Sequence, residues 1–168
     1  MSYKDLDIKL SYISCGEDNI AESFLVPALK HTKLYRRSVG FFSSGVFGAI
    51  IDGIVVLSRN NGKIQLIASP RLQEDDIIAI NLGYQKRDEI IKSAFSRDFL
   101  KEMEQFDDTR LQLLVALIAN ETLDIKIAVT ESIGMYHDKF GILEDFDGNL
   151  IVFYGSANES LSGYKENY

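Results

Sequence analysis

The sequence predicts an α/β fold in which a mixed β-sheet is flanked by helices. The first half of the chain contains a strand, a helix and a second strand, a succession typical of a right-handed crossover between parallel strands. The last third changes to an apolar period of two, and a tight turn joins two of its strands, which must therefore be antiparallel. A sheet with both kinds of pairing is mixed.

The stretch "DNIAESFLVPALKHT" predicts a short helix. Ile20, Phe24 and Leu25 recur at helical spacing, and either Asp18 or Asn19 is placed to cap the first turn. We therefore expect a short amphipathic helix before the first strand.

The crossover unit follows directly. "LYRRSVGFF" predicts a strand, "SSGVFGAIIDGIVVLSRNNG" predicts a helix that stops at Gly62, and "KIQLIASP" predicts a strand that ends at Pro70. Apolar residues dominate all three segments, so we expect them to form the centre of the domain.

Residues 74–122 predict a helical insertion, in which "RLQLLVALIANETL" is apolar enough to lie across the core. Three strands follow, "DIKIAVTES", "YHDKFGILED" and "NLIVFYGSAN", the last two joined by the turn "FDGN". Residues 1–168 are thus expected to form one domain.

Composition narrows the functional classes. The net charge of -7 argues against a pure nucleic-acid-binding module, but an enzyme can confine its basic groups to one cleft. Cys15 is the single cysteine, so we expect no internal disulfide, a cytoplasmic location, and a small semi-buried side chain rather than a nucleophile. Asp52 interrupts the longest apolar stretch and the N-terminus is charged, so neither a membrane span nor a signal peptide is expected.

Candidate chemistry lies in "YHDKFGIL" and "GSAN". In a strand His137 and Lys139 would share one face, roughly 7 Å apart. Ser156 and Asn158 would share a face across the hairpin. An imidazole, an ammonium group, a hydroxyl and a carboxamide together suit a phosphate diester. The alternative is a structural His–Lys pair on an exposed sheet face.

These motifs resemble the phospholipase D superfamily, whose signature is His-x-Lys, four residues, Asp, and then Gly-Ser-x-Asn. "YRRSVGFFSS" and "KIQLIASP" are similar to the opening of the compact bacterial nucleases of that family. "HDKFGILED" and "YGSANES" are similar to the phospholipase D-like domain at the N-terminus of certain bacterial helicase and restriction proteins. The resemblance implies a phospholipase D/nuclease-like fold and assigns site roles to His137, Lys139, Ser156 and Asn158.

Two features depart from that signature. The family aspartate falls on Glu144 by counting, with Asp145 one residue later; strand parity favours Glu144, although a bulge in the hairpin would change the assignment. The family also has a further strand with an acidic residue that orients the histidine, for which Glu166 is a possible substitute. We expect instead that this residue lies beyond Tyr168, so that the chain is a fragment of a longer protein with a C-terminal helicase or other domain.

The family mechanism needs two histidines. One attacks phosphorus to form a phosphohistidine, and the other protonates the leaving oxygen and then activates water. His31 is expected to be a surface helix residue, so the resemblance implies a homodimer that shares one active site. The two His137 imidazoles would then be about 5–7 Å apart.

The expected function is metal-independent phosphodiester hydrolysis by a DNA nuclease domain of a restriction, defence or helicase-associated protein. The alternatives are a degenerate domain that binds nucleic acid or protein partners, and, less well supported, lipid headgroup hydrolysis. "EDDI" and "DFDG" lack the ligand spacing of a known loop, so no metal and no cofactor are expected.

Other basic and hydroxyl residues have two interpretations each. A row of basic residues could line a strand of nucleic acid or form a solvated face: Arg36, Arg37, Arg71, Lys86 and Arg87. Ser43 and Ser44 could lie near the site, with Ser43 as a substrate ligand, or could cap the following helix. Arg37 is the basic residue that we assign to substrate binding.

Overall fold

The computed structural model describes residues 2–12, 19–69, 74–92, 108–128 and 136–155. A short 3-10 helix covers Tyr3–Asp5, and a π-helical turn at Ala21–Leu25 leads into the first α-helix. The α-helices are α1 (Val26–His31), α2 (Gly45–Arg59), α3 (Glu74–Lys92) and α4 (Thr109–Ala119). The strands are β1 (Thr32–Val39), β2 (Lys63–Ala68), β3 (Leu123–Ile127), β4 (Phe140–Asp145) and β5 (Leu150–Tyr154).

The described strands form one five-stranded sheet in the order β3-β2-β1-β4-β5. β1 pairs in parallel with β2, and β2 with β3, whereas β4 is antiparallel to both β1 and β5. The predicted α/β class with a mixed sheet is therefore confirmed. Helices fill both parallel crossovers, because parallel neighbours need a long connection.

One face of the sheet is buried. β2 alternates strictly, with Ile64, Leu66 and Ala68 buried and the residues between them exposed. The apolar side of α4, including Leu114 and Ile118, joins the same core, which agrees with the prediction that this segment lies across the core. Apolar burial of this kind supplies most of the folding free energy of a domain.

The helix before β1 begins as the sequence predicts. The Asn19 side-chain oxygen accepts hydrogen bonds from the backbone amides of Ala21 and Glu22, at 3.1 and 3.3 Å. These amides have no partner within the helix, so the Asn19 cap stabilises its first turn. The alternative cap, Asp18, lies outside the described residues.

The hairpin between β4 and β5 turns through the predicted "FDGN" segment. Gly148 has φ of 82°, a conformation that costs glycine little. Asp145, at the end of β4, is fully buried and accepts hydrogen bonds from the amides of Tyr3, Asp147 and Asn149. The hydrogen bond from the Tyr3 amide thereby holds the N-terminal segment against the hairpin.

Two of the helices, α3 and α4, fall within the predicted helical stretch 74–122, and residues 93–107 lie outside the described part of the chain. Gly83 of α3 lies against Ile118 of α4, where a Cβ atom would come within 2.7 Å of the isoleucine Cβ. The small residue lets the two helices approach closely. Among the described residues, no helix combines the length and the apolar character that crossing a bilayer requires.

Candidate active site

The segment that carries His137 and Lys139 precedes β4 rather than forming its first residues. The last β1–β4 pair is Ser38 with Phe140, so the strand begins three residues later than the histidine. The Ser38 hydroxyl instead contacts the Tyr136 hydroxyl and donates to the Asp138 carbonyl at 3.4 Å. These contacts of the Ser38 side chain hold residues 136–138 beside β1, beyond the point where the backbone pairing of β1 with β4 ends.

The prediction that His137 and Lys139 project from one strand face is therefore wrong. His137 is exposed, whereas the Lys139 side chain is only 6% exposed. The Lys139 ammonium turns back and donates a hydrogen bond to the His137 carbonyl at 3.0 Å. The two residues are therefore in contact through the His137 backbone and the Lys139 side chain.

Gly40, just after β1, makes room for the imidazole. A Cβ atom at this position would come within 2.9 Å of His137 Nδ1 and 3.4 Å of the Tyr136 carbonyl oxygen. Real Cβ atoms essentially never come that close, so a side chain at Gly40 would push the ring away. Sequence reasoning missed this residue; its signal was a glycine inside the predicted strand "LYRRSVGFF", which the structure ends at Val39.

Lys139 shares its surroundings with a second buried cation, Arg37, which is 3% exposed. Burial lowers the pKa of the Lys139 ammonium, and the charge of Arg37 lowers that pKa further, against a smaller opposite effect of the Asp138 carboxylate. Two cations enclosed together form a strong attraction for an anion, because a low-dielectric environment weakens the screening of charge.

Arg37 is held by an aromatic ring that reaches across a neighbouring strand. Arg37, Gly141 and Phe153 are register partners on β1, β4 and β5, so they point to the same face of the sheet. The Phe153 ring crosses the space above Gly141, where a Cβ atom would lie 2.2 Å from the ring, and the Arg37 guanidinium carbon is 5.0 Å from the ring centroid. This geometry is a cation–π contact.

The end of the first motif lies beside the start of the second. The Gly155 amide donates to the Lys139 carbonyl at 3.2 Å, which extends the β4–β5 pairing by one step. Gly155 is the first residue of "GSAN", so this bond brings the start of the second motif next to the lysine of the first. Ser156 and Asn158, the predicted ligands, lie outside the described residues, as do Cys15 and Glu166.

The two candidates for the motif acid have separate environments. Glu144 is half-buried and pairs with Arg36 at 3.4 Å, on the opposite side of β4 from Gly141. Asp145 is the buried acid, and burial would raise the pKa of its carboxyl. Hydrogen bonds donated by the Tyr3 amide, by Asn149 and by the Asp147 amide outweigh burial and hold that pKa well below its usual range. Asp145 is thus the structural acid of the hairpin, and Glu144 keeps its predicted role only as a proposal.

The remaining predicted residues are placed as follows. The Ser44 side chain does not cap α2, and the helix begins instead with the Ser43 and Ser44 carbonyls accepting from the Val46 and Phe47 amides. Ser43 itself is half-buried.

His31 is half-buried, whereas the sequence predicted a surface residue. Its Nδ1 atom is enclosed and has no hydrogen-bond partner in the described part of the chain. Arg71 and the side chains of Lys86 and Arg87 lie outside the described residues.

Comparison with known proteins adds no relative to this picture: the chain matches no protein-family model, and no curated protein is similar to it. In the ranges that the structure describes, no three His, Cys, Asp or Glu side chains come together as a set of metal ligands. What can be said of function therefore depends on the residues around His137 and Lys139.

Proposed function

We propose that the chain is a metal-independent phosphodiesterase domain of phospholipase D type, most directly a DNA nuclease domain of a restriction, defence or helicase-associated protein. The observation that carries the proposal is the hydrogen bond between the Gly155 amide and the Lys139 carbonyl, which pairs the last residue of His-x-Lys with the first residue of Gly-Ser-x-Asn. The hairpin between the two motifs thus brings Lys139 and Gly155, their adjoining ends, next to each other.

The chemistry assigned to each residue follows from its surroundings. His137 is exposed, so its imidazole can reach a substrate phosphorus and act as the nucleophile. Lys139 and Arg37 supply buried positive charge for the phosphate oxygens, and Ser156 and Asn158 are proposed as neutral donors to the same group. Ser43, which lies just beyond the end of β1, is proposed as a further ligand of the phosphate.

The reaction balances with water as its only other reactant. The imidazole nitrogen of His137 forms a bond to phosphorus as the ester oxygen leaves with a proton, and water then cleaves the phosphohistidine. The proton for the leaving oxygen must come from a second acid. We propose that it is the His137 of a second copy, in a homodimer that shares one site.

The test is plasmid nicking in excess EDTA by wild-type protein and by His137→Ala. Wild type is expected to nick the plasmid, and His137→Ala is expected to lose the activity while its melting temperature stays within a few degrees, since the side chain is exposed. The matched control is His31→Gln, which changes the other histidine of the chain and should keep the activity.

Three outcomes separate the candidate functions. Cleavage that disappears in EDTA, or that survives in His137→Ala, contradicts the mechanism. DNA binding without any cleavage favours the degenerate binding domain. Release of headgroups from phospholipid vesicles, with no effect on plasmid, favours lipid hydrolysis.

A further inference from the structure

A cleft of about 560 Å³ opens along β5. Its walls come from the N-terminal segment 8–12, from the helix before β1, and from β5 with Gly155. Among the described residues that line it, none is acidic and two are basic, Lys9 and Arg37, although the whole chain carries a net charge of -7.

Aromatic rings form the floor of this cleft. Tyr12 and Phe24 have centroids 5.2 Å apart and are tilted by 30°, and Phe24 meets Phe153 edge to face at the same distance. The Lys9 ammonium lies 5.8 Å from the Tyr12 centroid. Phe24 itself is buried, whereas Tyr12 and Phe153, its two ring neighbours, are half-buried. The accessible parts of these two rings, with a cation beside Tyr12, offer apolar surface to a planar ligand.

The cleft adjoins the proposed phosphate site. Arg37 lines it and also lies close enough to Lys139 to lower the pKa of that ammonium. Gly155 lines it as well, and its amide is bonded to the Lys139 carbonyl. A ligand that fills the cleft therefore has its end beside the buried cations.

We propose that the cleft binds an unpaired nucleobase of the substrate, next to the phosphate held at Lys139 and Arg37. The inference rests on the proposed function and adds the substrate class, which is single-stranded or locally unpaired nucleic acid. Flat rings stack on bases of any sequence, and the cations attract the backbone. The volume lies within the range of about 300–1,000 Å³ that is usual for small-molecule sites. A base stacked within a duplex cannot enter it.

The direct test compares thymidine 5′-monophosphate with inorganic phosphate by isothermal titration calorimetry. The nucleotide is expected to bind about tenfold more tightly than phosphate, since stacking adds affinity. Tyr12→Ala should remove this advantage and leave the affinity for phosphate unchanged, whereas Tyr12→Phe, which keeps the ring, should retain it. Phe146→Ala is the matched control, because Phe146 is an exposed aromatic residue outside the cleft.

A second measurement needs no variant. A single-stranded oligonucleotide that contains 5-bromodeoxyuridine is irradiated with wild-type protein, and the adducts are mapped by mass spectrometry. Adducts at Tyr12 or at neighbouring lining residues support the proposal; adducts confined to other surfaces overturn it, as does equal affinity for nucleotide and phosphate.

The two proposals fail in different ways. Nucleotide binding that depends on Tyr12, in a protein that cleaves nothing in EDTA, removes the nuclease function and leaves the cleft assignment standing. Cleavage that persists unchanged in Tyr12→Ala, with no preference for nucleotide over phosphate, removes the cleft assignment alone.

Discussion

The Arg37 guanidinium carbon lies 5.0 Å from the centroid of the Phe153 ring, although the two residues belong to strands that are not neighbours. The intervening strand contributes Gly141 at this row, and the absence of a side chain leaves the space that the ring crosses. Phe24 packs edge to face on the same ring. A glycine near the start of β4 thus positions a buried cation of the proposed site.

Gly141→Ala should destabilise the protein and weaken anion binding. The new Cβ would lie 2.2 Å from the Phe153 ring, so the ring must move, and overpacking of this kind costs about 1–3 kcal/mol. Urea unfolding measures the loss of stability, and sulfate titration measures the anion affinity. Gly48→Ala is the control: a Cβ there meets nothing within 4 Å, and it should be neutral or stabilising in the interior of α2. A Gly141→Ala protein as stable as wild type would contradict the role assigned to the glycine.

Lys139→Met should lower the cleavage rate by about a hundredfold or more while leaving the fold as stable as wild type or more stable. Burial and Arg37 lower the pKa of Lys139 in the folded state, so at neutral pH the unfolded chain holds this proton more firmly than the folded one. The charged lysine therefore opposes folding at pH 7, and this penalty fades as pH rises towards the ordinary lysine value of 10.5.

The measurement for Lys139→Met is urea unfolding at pH 7 and near pH 10. The advantage of the variant over wild type should shrink at the higher pH. Lys33→Met, at an exposed position of β1, serves as the control and should change stability little at either pH. A variant clearly less stable than wild type at pH 7 would show that Lys139 is structural.

Asp145→Asn should destabilise the protein at neutral pH by roughly 2–3 kcal/mol, because the amide cannot replace the carboxylate as the acceptor of several buried hydrogen bonds. The folded-state pKa of Asp145 is depressed, so its contribution is fully present above the ordinary value of 3.8 and is lost as pH falls below it. The difference between variant and wild type in urea unfolding should therefore narrow between pH 7 and pH 3. Asp147→Asn, an exposed neighbour, should show little effect, and a pH-independent difference for Asp145→Asn would contradict the linkage.

Mixing His137→Ala with wild type tests the shared active site. If each dimer needs both histidines, an equal mixture after subunit exchange should retain about a quarter of the activity of the same total amount of wild type, since only wild-type pairs are active. Activity that falls in simple proportion to the mutant fraction, or cleavage by a protein that sedimentation shows to be a monomer, would rule out sharing. His31→Gln in the same mixture should leave activity undiminished.

The sequence by itself determined the local elements. Asn19 caps the first helix as predicted, the crossover strands pair in parallel, and "FDGN" closes the hairpin. These features depend on residues close together in the chain, so spacing and turn chemistry are sufficient to predict them. The His-x-Lys and Gly-Ser-x-Asn motifs are also patterns of sequence order, and the roles assigned to them stay predictions.

Tertiary structure decided how those residues are arranged. Strand parity predicted His137 and Lys139 on one face, but the pairing of β1 with β4 stops at Ser38, and the histidine is exposed while the lysine is buried. Counting favoured Glu144, yet it is Asp145 that the N-terminal segment encloses. Parity and counting describe one strand, whereas burial depends on where neighbouring segments end and what packs on them, which only the folded chain fixes.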